Sequence, residues 1–524
     1  MQHIHAQKIA ENDNLIIAKL SPRTGFVFRK STEYMKLNYR FLAVALCCFV
    51  LLLPAMVNRA PFVYFDSAPY MNNAGKAIQL VQDRLWLGSE IVPVESAQTA
   101  GLQTSPSGST GTLAGRSIYY SFLVWISAAT FGIGGIAFVQ ALVLAVLIVI
   151  CLRIAWPAAQ PAPFLVATLA MSSGLSLLTS AGFFVSLVTP DVWAGMMIIS
   201  FALVLGAGSD LGRGTRLALG VVMACAALFH TSHILVLASM TALSALAMLH
   251  LAWRKAMAVR YLWIPALALA FGLGGTMAFS VAATVATGES PVGLPFITAH
   301  LTDMGPGTRF AQTSCPASGF AICPYADRLP IDWIDFLFSK NPQTGIFAVV
   351  PPDVQRAISD EQIRFAIGTL IAEPLATIAG LARDGIAQLW HLSVNDVPLT
   401  AKDEAFVVEG FEPQTAETIR TSTIWSRAWL APTISRVIEI GTAVSFAGLL
   451  FLALVKRLPR HGAVARLLLI CFLGLVLNAV LCGVFASPYG RFQARIAWML
   501  PFLLAISLIV PRYSDYSVPE RGRP

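Results

Sequence analysis

Residues 41–77 read FLAVALCCFVLLLPAMVNRAPFVYFDSAPYMNNAGKA, a long apolar run followed by an aromatic segment that carries one acid, Asp66. About 17–25 apolar residues in succession are typical of a membrane-spanning helix. Aromatic side chains next to such a run are typical of the membrane–water interface. The stretch therefore predicts a first span with a carboxylate close to the membrane surface.

The composition of the whole chain is that of a polytopic membrane protein. Its 524 residues are 56% hydrophobic and 12% charged, with a mean hydropathy of +0.68, whereas soluble domains carry about 25% charged residues. The net charge of +8 does not indicate nucleic-acid binding, because Lys and Arg flank the apolar runs and so report topology. We predict an all-α membrane protein with about 10–12 transmembrane helices and two outward-facing loops, the second a small soluble segment. The clearest spans lie at residues 39–58, 136–152, 163–181, 184–207, 217–231, 234–252, 262–283, 433–455, 467–486 and 497–511.

Basic clusters predict the orientation. Counting spans from a cytoplasmic N-terminal tail places every later cluster, including Arg153, Arg216, Arg260 and Arg466, on the same side. The predicted organisation is a basic cytoplasmic tail (1–38), an N-terminal membrane region (39–283) with a first outer loop (59–116), an outer loop segment with a Cys pair (284–432), C-terminal transmembrane helices (433–511) and a cytoplasmic tail (512–524).

Two segments need separate interpretation. Residues 117–135 are apolar enough to span but end in a glycine cluster, and we favour a partly embedded helix over a full crossing. Cys315 and Cys323 are the two cysteines in a polar loop, whereas the other six lie in apolar runs. Because disulfides persist outside the cytoplasm, we expect these two to be paired.

The acids Asp66 and Asp191 are the first candidates for chemistry. A carboxylate at the depth of Asp66 is placed to take a proton from a hydroxyl acceptor, although a solvated loop residue in an aromatic belt is the alternative. Asp191 follows Thr189 and Pro190, a sequence typical of a helix N-terminus, with Thr189 as the cap. Its functional interpretation is binding of substrate or metal on the outer side.

Basic residues on the predicted outer side are candidates for binding an anion. Tyr489, Arg491 and Arg495 precede or enter the last span, and the two arginines, four residues apart, share one side of a helix. Arginine forks suit phosphate oxygens, and snorkelling to the interface is the alternative. Lys76 and Arg116 add positive charge in the first outer loop.

His230 and His233 lie at an outer tip between two spans, three residues apart. Because no third ligand is near in sequence, substrate contacts or a turn are favoured over a metal site. A divalent cation is left open as a cofactor, since no convincing ligand set is found. Signatures for nucleotide binding and the HExxH motif are absent from the sequence.

Three segments in order resemble the GT-C superfamily of membrane glycosyltransferases, which use polyprenyl-phosphate-linked sugars. They are YFDSAPY with Asp66 after the first span, RSIYYSFLVWISAATFGIGG at 116–135, and TPDVWAG with Asp191 opening a middle span. The resemblance covers roughly residues 40–260 and is nearest to the branch of protein mannosyltransferases and the lipid A aminoarabinose transferase. This chain differs in having no second acid next to Asp66.

The resemblance implies that Asp66 is the catalytic base and that basic residues hold the lipid phosphate. The expected partners are a polyprenyl-phosphate-linked sugar, a glycan, lipid or protein acceptor, and membrane lipids, with no nucleic acid. The expected location is a bacterial inner membrane with the active site on the periplasmic side. A transporter or lipid flippase is the alternative from another class, and a polymerase or ligase of lipid-linked glycans is the closer enzymatic alternative.

Overall fold

A computed structural model describes residues 22–86, 116–250, 258–395, 397, 407–408, 410–427, 429–460 and 462–510. These residues form an all-α polytopic membrane protein, 77% helical and without a strand among them, which confirms the predicted fold class. The helices are α1 (Pro22–Asn58), α2 (Ser67–Trp86), α3 (Ile118–Phe131), α4 (Gly135–Ala155), α5 (Pro161–Leu178), α6 (Ser180–Ser186), α7 (Val192–Ala207), α8 (Arg213–Phe229), α9 (Thr231–Ala247), α10 (Trp263–Thr287), α11 (Phe296–Met304), α12 (Pro306–Ser314), α13 (Trp333–Phe338), α14 (Pro352–Ala372), α15 (Pro374–Gln388), α16 (Pro413–Arg420), α17 (Thr423–Ser426), α18 (Leu430–Leu454), α19 (Gly462–Phe485), α20 (Gly490–Ala497) and α21 (Met499–Ile509).

Within the described ranges, seven segments are long and apolar enough to cross a membrane. They are Tyr39–Asn58, Gly135–Ala155, Pro161–Leu178, Val259–Ala286, Leu430–Leu454, Gly462–Phe485 and Gly490–Ile509. Three shorter apolar helices, α3, α7 and α9, and the pair α14 and α15, bent by 116°, accompany them. The bent pair lies within residues 284–432, which the sequence predicts as an outer loop segment, and is apolar enough to form a broken span or a re-entrant loop.

The spans predicted at 217–231 and 234–252 correspond to α8 and α9, which have 17 residues each and are not among the seven segments. Two other predicted spans differ in their bounds. The span at 184–207 is wrong as a continuous helix, because α6 ends at Ser186 and α7 begins at Val192. Pro190 lies in this break, and proline lacks the N–H that a continuing helix needs. The last span begins at Gly490 instead of residue 497.

Helix α7 is the centre of the molecule. All sixteen of its residues are buried, and α4, α8, α19 and α20 pack around it. Gly195 and Gly474 permit close approach, because a Cβ at either would lie 2.5 Å from Trp498 or from Ile198, respectively. A helix that is apolar all round needs protein or lipid on every face, and for α7 the neighbouring helices provide this cover.

Basic side chains gather at the C-terminal end of α7. Arg466 Nε donates to the Gly206 carbonyl at 2.6 Å, and Arg216 Nη1 donates to the Gly208 carbonyl at 2.9 Å. Arg216 also lies over the ring of Tyr261, 4.4 Å from its centroid. The opposite end of α7, at Asp191, is about 24 Å away at 1.5 Å per residue. Arg216 and Arg466, which the sequence analysis places on one side of the membrane, therefore lie together at one end of α7.

Helix α3 lies at the same end as Asp191. Tyr120 in α3 and Trp193 in α7 both donate to Gln140 Oε1, at 3.1 and 3.2 Å, and Gln140 lies in the second turn of α4. If α3 crossed the membrane fully, the start of α4 would lie at the far end. Its 14 residues extend about 21 Å, short of the ~30 Å hydrocarbon core. The geometry favours the partly embedded helix.

Residues 288–390, which we call the outer unit after the predicted outer segment that contains them, have their own apolar cluster, which includes Trp333, Phe336 and Phe365. The Cys315–Cys323 disulfide is present, with an S–S distance of 2.09 Å. Helices α14 and α15 also belong to this unit. Helix α15 packs along the membrane helix α19 and connects this unit to the bundle.

Candidate active site

A short backbone pairing brings the two predicted acids together. Phe62 N donates to the Ser186 carbonyl at 2.8 Å, and Val188 N donates to the Phe62 carbonyl at 2.9 Å. Ser67 Oγ adds a bond to the Val188 carbonyl at 2.9 Å. The segment after α1 thus runs beside the break between α6 and α7, so that Asp66 and Asp191 face the same space.

Asp191 is buried and held by two arginines. Its Oδ2 accepts from Arg491 Nε at 2.9 Å and lies 2.8 Å from Nη2, while its Oδ1 lies 3.6 Å from Arg495 Nη1. Thr189 Oγ1 donates to the same carboxylate at 2.6 Å. The expected capping by Thr189 is wrong, because Asp191 itself occupies the N-cap position of α7 and makes no side-chain cap bond.

Asp66 is the more accessible acid. Its side chain is 27% exposed, against 2% for Asp191. Oδ1 accepts from Arg116 Nε at 2.9 Å and Nη2 at 2.5 Å, and Oδ2 lies 3.4 Å from Arg491 Nη1. Arg491 therefore bridges the two acids, and one edge of Asp66 remains open to a bound molecule.

Arg495 lies deeper, with a side chain only 1% exposed. Its Nη2 donates to Asn478 Oδ1 at 2.8 Å and to Ser232 Oγ at 3.1 Å. Its Nε is buried and has no hydrogen-bond partner among the described residues. A buried donor without an acceptor is costly, so the described contacts leave this guanidinium incompletely satisfied.

Aromatic groups cover one face of the Arg491 guanidinium. Its guanidinium carbon lies 4.0 Å from the centroid of the Tyr64 ring, and a cation over an aromatic face is a favourable arrangement. The Tyr64 and Tyr489 hydroxyls are 3.4 Å apart. Burial raises the pKa of the Tyr64 phenol, so it stays neutral and can donate a hydrogen bond.

The five charged side chains of this cluster leave one positive charge in excess. They are two carboxylates and three guanidiniums, which stay protonated in proteins. Burial alone would raise the pKa of the Asp66 carboxyl, but the charges of Arg116 and Arg491 outweigh it and hold the pKa below its usual range. With both acids ionised, the cluster of Asp66, Arg116, Asp191, Arg491 and Arg495 is suited to an anion with a single charge.

The other predicted site residues differ in their placement. His230 is the N-cap residue of α9, and its Nδ1 accepts from Ser232 N at 3.1 Å. Burial, aided by Arg495, lowers the pKa of His230 to about 4, so its ring is neutral near pH 7. His233 is buried, with Nδ1 2.9 Å from the Ala226 carbonyl oxygen. Lys76 lies about 15 Å along α2 from Asp66, outside the cluster.

The described residues contain no group of three or more His, Cys, Asp or Glu arranged to hold a metal ion. Arg116 also borders a small, open cleft between the start of α3, the α8–α9 turn and α10. Polar and apolar groups line it, including Arg116, Ile118, Leu228, His230, Thr276 and Phe279. The cleft lies next to the charged cluster and presents both polar and apolar groups.

Sequence reasoning missed the groups that hold the cluster in place. Asn478 and Ser232 fix Arg495, Tyr64 covers Arg491, and Gln140 Nε2 donates to the Val185 and Leu187 carbonyls on either side of the α6 terminus. Asn478 and Gln140 are single amides inside apolar runs. A polar side chain in a membrane span is costly unless it is paired, and that signal was available in the sequence.

Comparison with protein-family models, with curated proteins and with solved structures finds no match to this chain.

Proposed function

We propose that this chain is an integral membrane glycosyltransferase that moves a sugar from a polyprenyl-phosphate donor to an acceptor hydroxyl at the outer face of the membrane. The observation that carries the proposal is the convergence of Asp66, Asp191 and three arginines at one end of the spans. The resemblance of the segments around Asp66 and Asp191 to GT-C enzymes supports the same reading. The cluster unites residues that the sequence marked independently.

The charge of the cluster fits the linkage of such a donor. A sugar joined to a lipid through one phosphate carries one negative charge, which equals the excess charge of the cluster. When the bond from the anomeric carbon to the phosphate oxygen breaks, its electron pair stays on that oxygen. Arg491 and Arg495 are preorganised to stabilise the added charge, and such donors act most strongly where water is excluded.

Asp66 is the base in this proposal. It accepts the proton of the acceptor hydroxyl while the hydroxyl oxygen forms its bond to the anomeric carbon. Without donor, Arg116 and Arg491 depress the pKa of Asp66, which makes it a weak base. A phosphate bound to the same arginines offsets their charge, so the pKa of Asp66 rises when the donor is in place. Proton acceptance is thereby tied to donor binding.

Asp191 has a positioning role. It is almost inaccessible and its oxygens are occupied by Thr189, Arg491 and Arg495. It fixes the direction in which the two arginines point and offsets part of their charge. Replacement of Asp191 is therefore expected to disturb donor binding through the arginines.

The proposed side of the membrane rests on the basic cluster at the far end of α7. Basic loops face the cytoplasm, so the charged site opens on the opposite side, which is the periplasmic side if the membrane is a bacterial inner membrane. The cleft beside Arg116 has the mixed lining that a prenyl phosphate requires, with Ile118 and Phe279 toward the lipid chain.

The test is the pool of lipid-linked sugars, measured by mass spectrometry in cells with wild-type protein, no protein, or single variants. Asp66→Asn and Arg491→Ala are expected to cause accumulation of one polyprenyl-phosphate sugar, as the deletion does. Asp210→Asn is the matched control, because Asp210 is exposed at the other end of α7. An unchanged pool and unaltered envelope glycans in the deletion strain would refute the transferase and favour transport.

The same experiment separates the enzymatic alternative. A polymerase or ligase of lipid-linked glycans would depend on the arginines more than on Asp66. Loss of activity in Arg491→Ala with full activity in Asp66→Asn would therefore reject Asp66 as the base and favour that alternative.

A further inference from the structure

Gln388, at the end of α15, makes a two-point contact with the turn that precedes Arg491. The side chain is fully buried. Tyr489 N donates to Gln388 Oε1 at 2.7 Å, and Gln388 Nε2 donates to the Tyr489 carbonyl at 2.8 Å. An amide is the side-chain group that can donate and accept in this way at once. The contact fixes the backbone of Tyr489 in position and direction.

Helix α15 is held firmly against α19, which ends just before this turn. A Cβ at Gly483 would lie 2.5 Å from the Asp384 carbonyl oxygen, so the two backbones approach closely. His300 Nε2 lies 3.0 Å from Asp384 Oδ2, and His300 Nδ1 lies 3.0 Å from the Val484 carbonyl oxygen. These buried contacts connect the outer unit, α15 and the end of α19, so Gln388 acts from a fixed support.

Tyr489 transmits this position to the charged cluster. It is the N-cap residue of α20, two residues before Arg491. Its ring contacts Trp333 of the outer unit, with centroids 5.7 Å apart. Its hydroxyl lies 3.4 Å from that of Tyr64, whose ring lies under Arg491. A shift of Tyr489 would therefore change both the start of α20 and the aromatic cover of Arg491.

We infer that Gln388 is a positioning residue that sets the place of Arg491 for binding the phosphate of the lipid-linked donor. The inference rests on the proposed function and gives the outer unit a role in it. Gln388 does not touch the charged groups in the described contacts; it acts through the backbone of Tyr489.

The substitution Gln388→Glu makes the inference testable by pH. An ionised Glu accepts from Tyr489 N but repels the Tyr489 carbonyl oxygen, whereas a protonated Glu can donate to that oxygen. Burial raises the pKa of a carboxyl group, so protonation is reached under mild conditions. The contact is therefore broken at high pH and restored at low pH within one protein sample.

The experiment measures binding of farnesyl phosphate, as a probe, to the detergent-solubilised protein between pH 5 and 9. Each variant's Kd is divided by the wild-type Kd at the same pH, so that ionisation of the probe cancels. Gln388→Ala is expected to weaken binding about tenfold at every pH, the size expected for lost buried hydrogen bonds. Gln388→Glu is expected to match that loss at pH 9 and to return close to wild type at pH 5, reversibly. Gln362→Glu, on the half-buried part of α14, is expected to show a ratio near one throughout.

A ratio for Gln388→Glu that does not change with pH, or wild-type binding by Gln388→Ala, overturns the inference while leaving the proposed function intact. Failure of the wild-type protein to bind the probe overturns both. The pH titration of one folded sample separates positioning from a general loss of folding.

Discussion

Asp191→Asn removes a carboxylate from the most buried part of the cluster and keeps the size of the side chain. Its oxygens lie 2.8 to 3.6 Å from Arg491 and Arg495, and the side chains of these three residues are 1% to 7% exposed. The substitution leaves two buried guanidiniums without their shared counter-ion, and the excess charge of the cluster rises from one to two.

The expected loss follows from that burial. Removal of one partner of a buried ion pair costs about 3–5 kcal/mol of the free energy of unfolding. Since each 1.4 kcal/mol corresponds to about a factor of ten, the unfolding equilibrium shifts by roughly two to three and a half orders of magnitude. Asp210→Asn, an exposed carboxylate elsewhere in the chain, is expected to stay within about 0.5 kcal/mol of wild type.

The assay is unfolding in mixed micelles, followed by tryptophan fluorescence, on four proteins that form a double-mutant cycle. Arg491→Met is the second single variant, and the double variant combines it with Asp191→Asn. The double variant restores an excess charge of one, so it is expected to recover about 1.5–3 kcal/mol relative to the sum of the single losses. Additive losses, or a loss below about 1 kcal/mol in Asp191→Asn, would show that the pair is not the buried ion pair described.

Three further outcomes follow from the same region. The pKa of Asp66 is depressed in the folded protein, so its stabilising contribution is present above about pH 4 and is lost as the pH falls through the depressed value. Thermal unfolding measured from pH 7 to 3 should therefore show a smaller loss of stability at acid pH in Asp66→Asn than in wild type. An equal loss in both proteins contradicts the argument. The pKa of His230 is about 4 in the folded protein and about 6.5 in the unfolded chain. Because the unfolded chain binds the proton more readily, the stability of the fold should decline as the pH falls from about 6.5 toward 4. In the same measurement, His230→Gln should show a smaller decline. Gly195→Ala places a Cβ 2.5 Å from the Trp498 ring and should lower the free energy of unfolding by about 1–3 kcal/mol. Gly174→Ala has open space at its Cβ and should not lower it in the same micelle assay. Equal losses in the two variants would reject the packing argument.

Much of the architecture was predictable because apolar length is a strong signal. The first span, the basic side and the partly embedded α3 follow from hydropathy, charge position and a glycine cluster. The break between α6 and α7 was harder to see, because both halves are buried and hydropathy stays high across Pro190. Proline disfavours helix at the residue before it, so Thr189 and Pro190 together carried a signal for a break.

The sequence was enough to select the charged residues of the site, but it did not show which acid pairs with which arginine. Asp66, Asp191, Arg491 and Arg495 stood out because charge near an apolar run is costly. One sequence does not indicate which helix ends meet, so the bridging of both acids by Arg491 had to come from the structure. The amide of Gln388 gave no periodic or charge signal, since its role depends on the backbone of a residue 101 positions away.

The bridging of both acids by Arg491 has a consequence for synthesis. Asp66 is 425 residues and Asp191 is 300 residues ahead of this arginine in the chain. At about 5–20 residues per second, the ribosome needs roughly 15 to 60 s to reach Arg491 after it has made Asp191. During that interval Asp191, at the start of α7, has no arginine partner from the last span. The buried ion pair forms only when that span is inserted. A chain that ends before this span is expected to be a substrate for membrane quality control.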